Sequence, residues 1–235
     1  MKVNLSIFIV TLFLGLTSCV KDHVESGDIE TEFREVAEFE KVILEGSMDI
    51  VITQDETYDL KVVAGENKMP FIKTKVTGNT LRVYEKNNHV HSTNHDKVYI
   101  SKSYLSSVTL DGSGDIDGGG LFGDDIDISI DGSGDITLDL EMEDKVYCEI
   151  DGSGDMLLTG TAEELELELN GSGSLDARHF PVNFAYIMIH GSGEARVHAL
   201  ELLDVSIQGS GDVYYVGSPG TLTVDINGSG GIGPL

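Results

Sequence analysis

The sequence predicts an all-β fold, a parallel β-helix or solenoid with coils of about 20 residues. Three observations carry that expectation. The tripeptide Gly-Ser-Gly recurs at 112–114, 132–134, 152–154, 171–173, 191–193, 209–211 and 228–230. Ahead of it, apolar residues alternate with polar ones, as in Ile126, Ile128, Ile130 and in Leu165, Leu167, Leu169. Behind it a shorter alternation starts, as in Ile136 and Leu138 or Val213 and Tyr215. A period of two marks a strand with one buried face. One unit cannot bury such a face alone, so neighbouring units must stack, with equivalent strands about 4.8 Å apart.

The first residues are a processing signal rather than fold. "MKVNLSIFIVTLFLGLTSC" has one lysine, an apolar run from Leu5 to Leu16 and then small residues, the layout of a secretory signal peptide over residues 1–18. Leu16-Thr17-Ser18-Cys19 resembles a bacterial lipobox. That resemblance implies cleavage before Cys19 and a lipid on its thiol. The expected location is the cell envelope, lipid-anchored, at the outer membrane on its periplasmic or outer side. Lys21-Asp22 with Glu25 resembles signals that send lipoproteins to the outer cell surface. Residues 19–32 read as a polar, acidic tether. With Cys19 given to lipid, Cys148 has no disulfide partner, and its apolar place in "KVYCEI" predicts a buried, inert thiol.

Residues 33–110 form a divergent β segment that begins and caps the solenoid, with "YDLKVVA" (58–64), "FIKTKV" (71–76), "TLRVYE" (80–85) and "KVYISKS" (97–103) as strands. Gly78-Asn79 marks a hairpin. "VILEGSMDIVI" (42–52) is a degenerate copy of the repeat. The regular coils occupy 111–235. Their structural corners are Gly112-Ser113-Gly114, Gly132-Ser133-Gly134, Gly152-Ser153-Gly154 and later equivalents. Glycine supplies positive φ, or room where no side chain fits, and the serine hydroxyls are placed to bond between coils.

Composition narrows the partners. Asp and Glu number 41 against 15 Lys and Arg, for a formal charge of −26. Such a surface repels nucleic acid and anionic headgroups and attracts cations or basic partners. Asp111, Asp131 and Asp151 form one column beside the corners, and Asp115, Asp135 and Asp155 form another. Carboxylates stacked this closely repel, and Ca²⁺, with six to eight oxygen ligands, is one way to offset that. The plainer reading is that Asp beside Gly caps the turn while water and salt screen the charge. The later columns support it, because they change to Asn170, His190 and Gln208. His89, His91 and His95 in "NNHVHSTNHD" have spacing that suits a transition metal, although a polar loop is the simpler account of them. Asn170 and Asn227 match the glycosylation sequon but are more simply turn residues.

Repeated Gly-Ser-Gly before an apolar residue, the opening "VILEGSMDIVITQ" and the ending "VYYVGSPGTLTVDINGSG" resemble one family. It is the putative auto-transporter adhesin, head GIN domain, and the likeness covers about residues 33 to 233. The resemblance implies a right-handed β-helix in an exported, often lipid-anchored protein, and no known activity. Met48 replaces the second corner glycine in "EGSMD", so the first coil is expected to be distorted.

The expected function is a non-catalytic binding or adhesion-type module. It touches the membrane through its N-terminal lipid and engages an envelope or host protein or glycan. One alternative is a glycan-binding or glycan-cleaving β-helix, for which an exposed row of Phe180, Phe184, Tyr186, Tyr214 and Tyr215 would serve as a platform. Filling the coil interior is the competing use of those rings. Enzyme chemistry is not expected, because Ser113 and its equivalents recur in each coil whereas a nucleophile is unique, and any ladder of Asp gives glycosidase spacing for free. The other alternative is a cation-stabilised structural spacer.

Overall fold

The two alternations of each repeat become two parallel sheets that meet at the Gly-Ser-Gly corner. The computed structural model describes residues 27–53, 59–86 and 96–235, with the backbone of the short pair Val24–Glu25 and Val90–His91. In the first sheet Lys41–Gly46, Ser107–Gly112, Ile126–Gly132, Lys145–Gly152 and Glu164–Gly171 pair in parallel, in that order. The ladder continues through the later halves of Ser174–Gly191 and Glu194–Gly209 and ends on Thr221–Gly228. The second sheet runs through Asp49–Thr53, Ile116–Gly123, Ile136–Met142 and Asp155–Thr161. It then takes the earlier halves of the same long strands, Asp212–Val216 and Gly231–Pro234. The fold is a β-solenoid, as the alternation predicts. Its one helical element among the described residues is the 3-10 turn Met69–Phe71.

Stacking keeps register. Val42, Val108, Ile128, Cys148, Leu167, Ile187 and Val205 make one inward column. Leu44, Leu110, Ile130, Ile150, Leu169, Ile189 and Ile207 make the next, and both columns are buried. A slip of one residue would turn both to water. Cys148 is a hydrophobic member of its column, and burial pushes its thiol far above the ordinary range.

The corners explain the glycines. Gly112, Gly132 and Gly152 lie at φ of 145°, 140° and 136°. A Cβ on Gly132 would stand 2.2 Å from the carbonyl oxygen of Gly112. On Gly134, the second corner glycine, it would stand 1.9 Å from that of Gly114. The bond between coils is made by backbone: the N–H of Ser133 donates to Gly112 O at 3.0 Å, and that of Ser153 to Gly132 O at 2.9 Å. The serine hydroxyls, which the sequence suggested for that role, point into solvent.

Residues 33–110 enter the same sheets, but out of chain order. The coil of Lys41–Gly46 and Asp49–Thr53 has Ser107–Gly112 and Ile116–Gly123 on one side. On its other side lie Thr80–Glu85 and Lys97–Ser101, also parallel. Antiparallel strands then cover that end. Ile72–Thr77 pairs with Thr80–Glu85 across the Gly78-Asn79 hairpin, and Leu60–Gly65 pairs with Lys97–Ser101. Ile29–Arg34 adds a further antiparallel strand on Leu60–Gly65, so strand structure reaches into the 19–32 stretch read as tether, where Val24–Glu25 also pairs with Val90–His91. The first coil is not distorted by Met48. Gly46 stays in register with Gly112, and Met48 is buried. Gly46 has nothing within 4 Å of its Cβ position, because no Gly-Ser-Gly corner lies beneath it.

One buried ion cluster fastens this end. Lys68 Nζ lies 2.9 Å from Glu85 Oε1 and 2.6 Å from Asp96 Oδ2, with all three side chains less than a tenth exposed. Glu85 and Asp96 flank residues 87–95, so Lys68 ties the two ends of that insertion together.

Candidate functional site

The two aspartate columns differ in use. Asp115 Oδ1 accepts the backbone N–H of Asp135 at 3.1 Å, and Asp135 Oδ1 accepts that of Asp155 at 2.9 Å. Asp49 begins this ladder on Asp115 N at 3.3 Å, and Asp155 ends it on the Ser174 hydroxyl at 2.7 Å. Each carboxylate therefore caps the strand start of the coil above it. Asp111, Asp131 and Asp151 also stack in register, but they stand exposed on the outer surface and their carboxylates make no such bond. Among the described residues, no group of three or more His, Cys, Asp or Glu side chains converges as metal ligands would. His89, His91 and His95 lie outside the residues whose side chains are described, as do Cys19 and the signal-like segment before it. No helix among the described residues is long and apolar enough to cross a membrane.

The richest surface is the outer side of the first sheet, over the middle coils. Here polar partners of the alternation form rows along the solenoid axis. One row runs Asp127, Tyr147, Glu166, Tyr186, Asp204; the next runs Ser129, Glu149, Glu168, Met188, Ser206. Between them opens a groove of about 440 Å³, lined by Glu164, Glu166, Glu168, Tyr186, Met188 and Asp204. Lys145 lies 3.2 Å from Glu164 and also pairs with Glu166. The Tyr147 hydroxyl approaches Glu168 Oε2 at 3.4 Å. Partial burial, then the charges of Glu149, Glu168 and Glu166, push the Tyr147 phenol up to about 12. Burial followed by Asp151, Glu168 and Asp131 raises the Glu149 carboxyl. This face holds more negative charge than its surroundings neutralise.

Sequence reasoning placed the aromatics only in part. Phe180 fills the coil interior, whereas Tyr186 stands outside between the buried Ala185 and Ile187. The signal was there in the phase of the alternation. The same phase puts Glu164, Glu166 and Glu168 outside, opposite Leu165, Leu167 and Leu169.

Residues 38–219 match the family described as "Putative auto-transporter adhesin, head GIN domain". The chain belongs to this family. As a head GIN domain it is similar to a "putative adhesin" of Bacteroides fragilis, with a TM-score of 0.83 and 26% identity over 90% of this chain and 100% of that one. A "putative lipid binding protein" of Parabacteroides distasonis has a TM-score of 0.70 at 25% identity, covering 91% of this chain and 99% of its own. A "putative adhesin" of the same species has a TM-score of 0.73 at 24% identity, covering 91% and 100%, and supports the fold alone. No curated protein matches the chain. The family and these neighbours are described by binding, not by catalysis.

Proposed function

We propose that this head GIN domain is an exported envelope protein, anchored by lipid on Cys19, that works by surface contact and without catalysis. The observation that carries the contact role is the regular register of its outer rows. In-register strands hold side chains such as Tyr147, Glu166 and Tyr186 at fixed intervals of about 4.8 Å. A preformed surface of this kind loses little conformational entropy when a partner docks. The adhesin description of the family and the lipobox-like Leu16-Thr17-Ser18-Cys19 support the same reading.

The anchor is tested by radiolabelled palmitate and membrane fractionation of cells producing the full chain or Cys19→Ala. The expected result is label and membrane association that vanish in the variant. Equal labelling of both chains refutes the anchor. The contact role is tested by adhesion of the same cells to immobilised envelope and host extracts. Release of cleaved glycan from those extracts by the purified chain would instead establish the enzymatic alternative.

A further inference from the structure

Strand Glu164–Gly171 begins Glu-Leu-Glu-Leu-Glu, so Glu164, Glu166 and Glu168 share its outer side. Alternate side chains of one strand repeat about every 6.8 Å along it. The strand below adds Tyr147 and Glu149, and the strand above adds Tyr186 and Met188, which are 36% and 43% exposed. Lys145 is the one lysine or arginine on Lys145–Gly152, Glu164–Gly171 and the paired stretch 184–191, and Glu164 and Glu166 already hold it. The face thus combines uncovered apolar groups with two carboxylates, Glu149 and Glu168, that Lys145 does not reach, and with Glu164 and Glu166, which share its single charge.

We propose that this groove docks an extended, basic protein segment carrying Arg or Lys at alternate positions. The inference rests on the contact role proposed above and names the chemistry of its partner. An extended segment lying along Glu164–Gly171 repeats its side chains at the spacing of the glutamates, so successive cations meet Glu164, Glu166 and Glu168 in register. Tyr147 and Tyr186 offer ring faces to guanidinium groups, and Met188 gives their aliphatic stems an adaptable contact. A cation beside Glu149 and Glu168 relieves the repulsion that helps to raise the Glu149 carboxyl. The formal charge of −26 steers such a segment inward from a distance.

The test is calorimetric titration of the full chain, extracted in a non-ionic detergent, with an alternating Arg-Ser peptide. A peptide of equal composition with its arginines contiguous is the control. The alternating peptide should bind more tightly. The pair Glu166→Gln and Glu168→Gln should weaken it by about tenfold. Asp117→Asn with Glu141→Gln makes the same charge change on the second sheet and should weaken it by about twofold at most. Tyr186→Ala with Met188→Ala should also weaken binding, which a purely electrostatic attraction would not require. Equal losses from the two charge pairs would overturn the groove in favour of diffuse attraction. A glucosamine oligomer binding as tightly as the peptide would assign the face to a cationic glycan instead. Peptide binding in detergent does not depend on lipid. Loss of membrane association with peptide binding intact therefore counts against the anchor alone, and the converse counts against the groove alone.

Discussion

Replacing Gly132 by Ala tests whether the corner column sets the distance between coils. A Cβ at Gly132 stands 2.2 Å from Gly112 O, where ordinary contact begins near 3.4 Å. The two corners must part by roughly 1 Å to admit it. That movement stretches two backbone bonds onto Gly112 O, from Ser133 N at 3.0 Å and Gly134 N at 3.3 Å. Losing both costs about 2 kcal/mol, and holding Ala at a positive φ adds about 1–2 kcal/mol, for a total of about 3–4 kcal/mol. Gly46 is the internal control. Its φ is 115°, but a Cβ there meets nothing within 4 Å. Gly46→Ala should therefore cost only the conformational part, about 1–2 kcal/mol. Urea denaturation of both full-length variants, followed by far-ultraviolet circular dichroism, reads the difference. Midpoints are the quantity to compare, because stacked repeats depart from two-state unfolding. Equal shifts for the two variants would refute the argument that backbone contact between corners sets the spacing.

Four further outcomes are expected. Lys68→Met removes the cation between Glu85 and Asp96 and should cost about 3–5 kcal/mol in the same urea assay, with partial recovery when both acids become amides. Burial opposes the Lys68 ammonium, yet Asp96 and Glu85 outweigh it and hold its pKa above the ordinary value. The folded chain then keeps a proton that the unfolded chain loses. That stabilisation is complete below about pH 10 and fades as pH rises through the folded pKa; a midpoint flat across alkaline pH would contradict this. Asp135→Asn retains an oxygen to accept Asp155 N–H and should leave the melting temperature nearly unchanged, whereas Asp135→Ala should lower stability by about 1–2 kcal/mol. Calcium should raise the melt no more than sodium chloride of equal ionic strength; a saturating extra rise, about 2.7 kcal/mol at 100 times the dissociation constant, would make the Asp111, Asp131, Asp151 column a binding site.

The repeat was legible because its strands obey a local rule. Period two places Leu165, Leu167 and Leu169 inside whatever lies next to them, and a recurring glycine pair marks each corner. The same rule distinguishes Tyr186 from Phe180 once the phase is followed through Ala185 and Ile187. Other features depend on groups far apart in sequence. Nothing local tells Lys41–Gly46 that its partners are Thr80–Glu85 and Ser107–Gly112. Nothing in the two similar Asp columns says that Asp135 meets a backbone N–H while Asp131 faces water, because that depends on which side of the corner the neighbouring strand begins. Lys68 gains its role only because the strands ending at Glu85 and starting at Lys97 bring two carboxylates to it.

The exchange of stacking order around Lys41–Gly46 bears on how the chain assembles as it emerges, amino end first. That coil appears well before either of its flanking coils exists, since Thr80–Glu85 and Ser107–Gly112 both lie later in the chain. It has no surface on which to settle until Thr80–Glu85 and Lys97–Ser101 arrive and the hairpin and antiparallel strands close around them. From Ser107 onward the situation reverses, because every new coil finds its template already laid down. The N-terminal segment thus rests on pairings distant in sequence, which carry the larger loop-closure cost. The repeats after it add like rungs, each needing only the rung before.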